Sequence, residues 1–155
     1  MKTIRRVGLI GAGTMGSGIA ISLVEKGIEA VLTDVSAEQL ERARAAAASH
    51  FGRAVEKGRT TQAAADAALA LLKTESGLEA VADTDLVIEA VFEDFDLKVE
   101  TFKRLMPLLA DDTLVATNTS CLRVSDLAAA VDKPGRFLGL HYFSPAQINP
   151  LVAVV

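Results

Sequence analysis

Residues Ile4 to Ile10 make a short, mainly apolar run, and from Thr14 the period changes so that Met15, Ile19, Leu23 and Val24 fall on one helical face. The pattern predicts strand, turn and helix. Gly27 stands where a left-handed helix cap is expected, and Ala30-Val31-Leu32 leads to Asp34 as a second strand. Ser36 followed by Gln39 reads as a capping box for an Ala-rich helix, including Ala45 to Ala48, that reaches Lys57 and breaks at Gly58. Another helix starts at Thr60 or Thr61 and runs to about Leu72, so the two form a helical hairpin inserted into the pattern.

Further on, Leu86-Val87-Ile88-Glu89-Ala90-Val91 is mostly apolar without alternation, as in a strand buried on both faces of a parallel sheet. Phe95, Val99, Phe102, Met106 and Leu109 then form one helical stripe, with Pro107 bending or shortening the last turn. Thr113 to Ala116 reads as a strand, Val124 to Ala130 as a helix, Phe137 to His141 as a strand and Leu151 to Val155 as a last apolar segment. Strands alternate with helices throughout. That order predicts an α/β fold with a doubly wound, mainly parallel sheet, whose ligand site lies beyond the carboxyl ends of the strands. No repeat or linker divides the chain, and 155 residues suit one core, so residues 1–155 read as one domain.

The segment Gly11-Ala12-Gly13-Thr14-Met15-Gly16 falls between the first strand and the first helix. Gly11 permits a tight turn, Gly13 lets a pyrophosphate approach the backbone, and Gly16 allows helix and strand to pack closely. The unpaired N–H groups at the helix start, around Thr14 and Met15, and the helix dipole both favour an anion there. Asp34 closes the second strand about 20 residues on, completing the dinucleotide-binding, Rossmann-type fingerprint. Because Ser36 and Gln39 supply the helix cap, the Asp34 carboxylate is left free for ribose hydroxyls. It would repel a 2′-phosphate, and neighbouring Val35 offers no cation, so NAD is preferred over NADP.

Charge narrows the partners. The formal net charge is −4 and no long Lys/Arg cluster occurs, which leaves neither nucleic acid nor an anionic membrane as an expected partner. No apolar run reaches the roughly 18 residues of a membrane span. The opening MKTIRR leads straight into the first strand, leaving no room for a signal peptide. The single cysteine, Cys121, makes no intrachain disulfide, and these features together suit a cytoplasmic protein. No metal is expected at the site.

The segments GAGTMGSGIA, DLVIEAVFED, TNTSCL and GLHYFSP, in this order, resemble the L-3-hydroxyacyl-CoA dehydrogenases over the whole chain. The HYFSP form is most similar to the branch found in multifunctional bacterial fatty-acid oxidation proteins. The resemblance implies an NAD-dependent enzyme that reversibly oxidises an L-3-hydroxyacyl-CoA to the 3-ketoacyl-CoA. It implies further that Glu93 and Lys98 lie near the nicotinamide ribose and that Asn118 and Ser120 form a polar loop around nicotinamide and substrate. By the same match Lys57 touches CoA and His141 is the catalytic base. A histidine suits that task because its proton affinity lies near neutrality. On their residues alone, Glu93 and Lys98 read equally as an exposed pair at a helix start contributing little, and Lys57 as a solvated cation at a helix C-terminus. His50 reads as a surface or packing residue, and Cys121 as a loop thiol.

The chain departs from the family pattern at one position with chemical weight. Family members carry a glutamate in a Leu-Val-Glu-Val segment of the last strand, where it accepts a hydrogen bond from the catalytic histidine. This chain has Leu151-Val152-Ala153-Val154. Ser144 replaces an asparagine common in the mitochondrial branch, yet can still hydrogen-bond to substrate. Family enzymes also carry an all-helical second domain that forms a homodimer and half of the acyl-CoA cleft, and residues 1–155 lack it. The expectation is a chain that binds NAD(H) but oxidises its substrate poorly. Two other readings stay open: a dehydrogenase for another hydroxy acid or sugar acid, and a non-catalytic NAD-binding or sensor module.

Overall fold

The computed structural model describes residues 3–155, so the first two residues of the MKTIRR opening lie outside the described residues. Seven strands form one sheet in the order β3-β2-β1-β4-β5-β6-β7. The strands are β1 (Arg6–Ile10), β2 (Glu29–Thr33), β3 (Leu72–Glu75), β4 (Leu86–Glu89), β5 (Leu114–Thr117), β6 (Phe137–Tyr142) and β7 (Val152–Val154). The first six run parallel, and β7 joins the edge antiparallel to β6. This is the doubly wound, Rossmann-type order, whose direction reverses between β1 and β4.

Helices cover both faces. On one side α1 (Thr14–Glu25), α2 (Ala37–Glu56) and α3 (Gln62–Ala70) bury Ile19, Val24, Leu40 and Phe51 against Leu9, Leu32 and Ile88. On the other, α4 (Phe95–Leu105) and α5 (Val124–Ala128) bury Phe102, Leu105 and Leu127 against Val31, Val87 and Val115. The alternating strand residues thus feed two cores, which is why β1 and β4 read as continuous apolar runs. Among the described residues, no helix is long and apolar enough to cross a membrane.

The local signals act as the chemistry requires. Gly27 takes φ +78° and its N–H bonds to the Val24 carbonyl, closing α1. The Ser36 hydroxyl accepts from the Gln39 N–H at 3.3 Å, but the Ser36 N–H goes to the Asp34 carboxylate, so the cap is shared rather than a reciprocal box. Pro107 falls inside a short 3-10 turn, Met106–Leu108, that ends α4 after Leu105.

One element escapes the sequence pattern. The second helix of the hairpin stops at Ala70, and Leu72–Glu75 is strand β3, not the helix end expected there. Four residues with a half-buried and an exposed side chain in alternation give too short a period to read, and Leu71-Leu72 continues the apolar character of the helix. Backbone pairing with β2, from Ala30↔Leu72 to Thr33↔Glu75, decides the matter. The hairpin α2–α3 is therefore the crossover between two neighbouring strands.

Candidate active site

The carboxyl ends of β1, β2, β4, β5 and β6 share one edge, and the sequence features with chemical content collect there. At β1 the chain turns at Gly11, φ +103°, where a Cβ would come within 2.6 Å of the Ala90 carbonyl oxygen. A Cβ on Gly16 would stand 1.8 Å from the Gly11 oxygen, so helix and turn touch directly. Gly13 has nothing within 4 Å of the same position. The outer side of the turn is open. Helix α1 starts from Gly13 with no side-chain cap and no acidic residue in its first turn, leaving its first amides and the dipole to an anion. A pyrophosphate fits this cradle.

Asp34, just past β2, is not free as the sequence suggests. Its Oδ2 accepts from the Ala12 N–H at 2.7 Å and its Oδ1 from the Ser36 N–H at 2.8 Å. The carboxylate ties the glycine turn to the end of β2, and its remaining lone pairs can still accept from ribose hydroxyls. Val35 beside it is fully exposed.

Met15, Glu93, Lys98, Asn118, Ser120, His141 and Ser144 all line one cleft of about 320 Å³. They come from α1, the β4–α4 loop, α4, the loop after β5, and the end of β6. Asn118 receives its place from two bonds: its N–H donates to the Glu89 carbonyl at 2.8 Å, and its side-chain oxygen accepts from the Tyr142 N–H at 2.9 Å. Burial raises the Tyr142 phenol above its ordinary value. The His141 ring packs on Phe143 at 4.4 Å between centroids and has no hydrogen bond among the described residues. Directly across the β6–β7 ladder from His141 lies Ala153. Opposed residues of an antiparallel pair share a face, with Cβ atoms about 5 Å apart, so a methyl stands where a longer acid would reach the ring.

Glu93 and Lys98 are not a loose surface pair. Lys98 is 1% exposed and its Nζ contacts Glu89 Oε1 at 2.7 Å and Glu93 Oε2 at 3.2 Å. Its place on the inner face of α4, four residues before the buried Phe102 and seven before the buried Leu105, carries it inward, whereas Phe95, expected on the apolar stripe, is exposed. Glu89, fully buried, also accepts from the Thr117 hydroxyl and the Val91 N–H. Glu93 gathers the turn after β5: its Oε1 accepts from the Thr119 hydroxyl, the Ser120 N–H at 2.9 Å and the Cys121 N–H at 3.2 Å. Burial pushes the Glu93 carboxyl up, but the Thr119 hydroxyl, these two N–H groups and the Lys98 ammonium more than offset it, bringing it to about 2. Glu89 is the residue that sequence reading missed. Its signal was an acid inside an otherwise apolar central strand.

Lys57 stands apart. It is the C-cap residue of α2 and lines a separate cavity of about 480 Å³ with His50, Arg53 and Arg59, walled on one side by Gln147 and Ile148. His50 is thus a cavity residue, packed edge-on to Phe51.

A glycine cradle, an acid at the end of β2 and a polar cleft at the switch point define the nucleotide-binding domain of an NAD-dependent oxidoreductase. Residues 6–155 match the family model described as 3-hydroxyacyl-CoA dehydrogenase, NAD binding domain, and the chain belongs to that family. It is 40% identical over 153 residues to a 3-hydroxybutyryl-CoA dehydrogenase of Mycobacterium tuberculosis, covering 98% of this chain and 54% of that protein. It is 35% identical over 152 residues to the fatty acid oxidation complex subunit alpha of Psychrobacter cryohalolentis, covering 98% of this chain and 21% of that one. The crystal structure of a 3-hydroxybutyryl-CoA dehydrogenase from Escherichia coli superposes with a TM-score of 0.96 at 36% identity, covering 99% of this chain and 32% of that chain. This chain therefore spans about half the length of the M. tuberculosis dehydrogenase, about a third of the E. coli chain and about a fifth of the fatty acid oxidation complex subunit alpha. Of the readings left open by the sequence, these matches favour the 3-hydroxyacyl-CoA one.

Proposed function

We propose that this domain serves the reversible oxidation of a 3-hydroxyacyl-CoA to the 3-ketoacyl-CoA, with His141 taking the proton. Bound NAD+ supplies the hydride acceptor. The chain's own residues bind, orient and accept a proton. The glycine turn and the amides of Thr14 and Met15 hold the pyrophosphate, Asp34 the adenosine ribose, and Glu93 and Asn118 the nicotinamide side. Ser120 and Ser144 hydrogen-bond the substrate oxygen, and the His141 imidazole accepts the hydroxyl proton as the C3–H bond breaks. The observation that carries this reading is the convergence of His141, Ser120, Asn118 and Glu93 on one cleft at the strand ends.

CoA is assigned to the second cavity. Arg53, Lys57 and Arg59 face a single acid there, Glu25, and a phosphate-rich group suits that balance. Turnover depends on an all-helical second domain that completes the acyl-CoA cleft and the homodimer. It also suffers from Ala153, because a positioned carboxylate that orients a histidine and stabilises its cation is worth orders of magnitude in other histidine-dependent enzymes. NADH and acetoacetyl-CoA binding to this chain by calorimetry, followed by the dehydrogenase assay, tests the assignment. Both ligands should bind, with turnover far below that of a complete enzyme. Binding of NADH without acetoacetyl-CoA would assign the domain to another hydroxy acid.

A further inference from the structure

The reacting carbon of the substrate belongs to the strand-end cleft and its phosphates to the second cavity, and one stretch of chain, residues 144–148, touches both. Ser144 lines the cleft, whereas Gln147 and Ile148 line the cavity. Helix α1 runs the same way, from Met15 at the cleft to Glu25 at the cavity, a rise of about 15 Å. An acyl-CoA that fills both places therefore lays its pantetheine arm along residues 144–148.

That segment is held in shape. The Ile148 and Asn149 N–H groups both donate to the Pro145 carbonyl, at 3.0 and 2.9 Å, and Ala146 is buried. The half-buried Gln147 side chain rests on α1 at Gly18, where a Cβ would fall 2.7 Å from Gln147 Oε1 and 3.3 Å from the Ala146 Cβ. A glycine inside a helix is unfavourable beside alanine, and here the missing methyl is the room the glutamine occupies. The Gln147 amide has two N–H donors and an acceptor oxygen, and none meets a protein partner among the described residues. Across the cavity stand Arg53, Lys57 and Arg59, which suit phosphates. The pantetheine arm is neutral and carries secondary amides, whose carbonyls and N–H groups lose their water on docking and need partners of the kind Gln147 offers.

We propose that Gln147 is a substrate-binding residue that takes the pantetheine arm of the acyl-CoA through amide hydrogen bonds, while the cations opposite take the phosphates. Exposed Ile148, next along the wall, gives the arm's apolar carbons a surface. The inference rests on the assignment of CoA to this cavity. It divides recognition of the substrate into a charged part, read by α2 and the turn after it, and a neutral part, read by the segment that follows β6.

The decisive variant is Gln147→Leu, which keeps the bulk of the side chain and removes the amide. Acetoacetyl-CoA, adenosine 3′,5′-bisphosphate and NADH are titrated by calorimetry against this variant and the unsubstituted chain, and the thermal unfolding of both is followed. The bisphosphate carries phosphates without the arm. The expected result is an intact fold, an acetoacetyl-CoA affinity lowered about fivefold, as for the loss of one neutral hydrogen bond, and unchanged affinities for the bisphosphate and NADH. Gly18→Ala approaches the same contact from the helix: it leaves Gln147 in the chain, fills its seat, and should also weaken acetoacetyl-CoA while sparing the bisphosphate. Equal acetoacetyl-CoA affinity in Gln147→Leu and the unsubstituted chain, or a loss shared by the bisphosphate, would overturn the proposal. An unsubstituted chain that binds NADH but neither acetoacetyl-CoA nor the bisphosphate would instead remove the CoA assignment beneath it.

Discussion

The two halves of the cofactor edge are made of different material. Around β1, α1 and β2 the site is backbone: three glycines, uncapped amides and one carboxylate that itself holds the Ala12 N–H. Around β4, β5 and β6 it is side chain: Glu89, Lys98, Glu93, Asn118 and His141 bonded to, or packed against, one another and the turns. The backbone half depends on where a Cβ is absent. The side-chain half depends on charges meeting across elements, and there Ala153 stands opposite His141.

This contrast can be broken by substitution, most severely at the buried charge. Lys98→Met alone leaves Glu89 buried without its counter-ion and should lower stability by about 3–5 kcal/mol in urea unfolding. A loss under about 1 kcal/mol would mean that the side-chain half is not organised by charge. In the backbone half, Gly16→Ala forces a Cβ to 1.8 Å from the Gly11 oxygen and should cost about 1–3 kcal/mol of folding. Gly13→Ala, with open space around it, should keep stability within about 1 kcal/mol while weakening NADH in the same titration. If both glycine variants lost stability equally, the open side of the turn would not be the ligand side.

Ala153→Glu sharpens the other half. With the family's helical domain supplied, turnover of NADH and acetoacetyl-CoA should rise at least about tenfold, roughly 1.4 kcal/mol of barrier. No gain would show that His141 needs no carboxylate. The smallest effect is in acid. Because the Glu93 carboxyl is held down to about 2 from an ordinary 4.5, its contribution is complete above the ordinary value and disappears as pH falls toward 2. Amide signals of Ser120 and Cys121 should therefore stay unshifted at pH 4 and move near pH 2. Movement centred near 4.5 would mean that the carboxylate does not hold the turn.

The same contrast explains what could be read before the fold was known. Glycine positions follow from backbone sterics, and sterics act between near neighbours in sequence, so the turn and Asp34 are legible from spacing. Glu89 and Lys98 are nine residues apart on a strand and a helix, and only the packing of α4 on the sheet joins them. That is why the bare pattern gives Glu93 and Lys98 as an exposed pair, although Lys98 lies one turn before Phe102 on the buried face of α4. Strand β3 escaped for a related reason: its pairing with β2 is a tertiary fact, while its four residues carry little period of their own. His141 opposite Ala153 follows from the β6–β7 register, which the family resemblance anticipates and apolar runs alone do not.

The bond from the Ala12 N–H to Asp34 has a further consequence for association. A carboxylate already engaged by two amides has surrendered its rotational freedom during folding, so a cofactor arriving at it does not have to order it. Immobilising a side chain on binding costs about 0.5–1.5 kcal/mol, and here that entropy is spent before any ligand appears. A ribose bound at Asp34 would meet an acceptor already held in place.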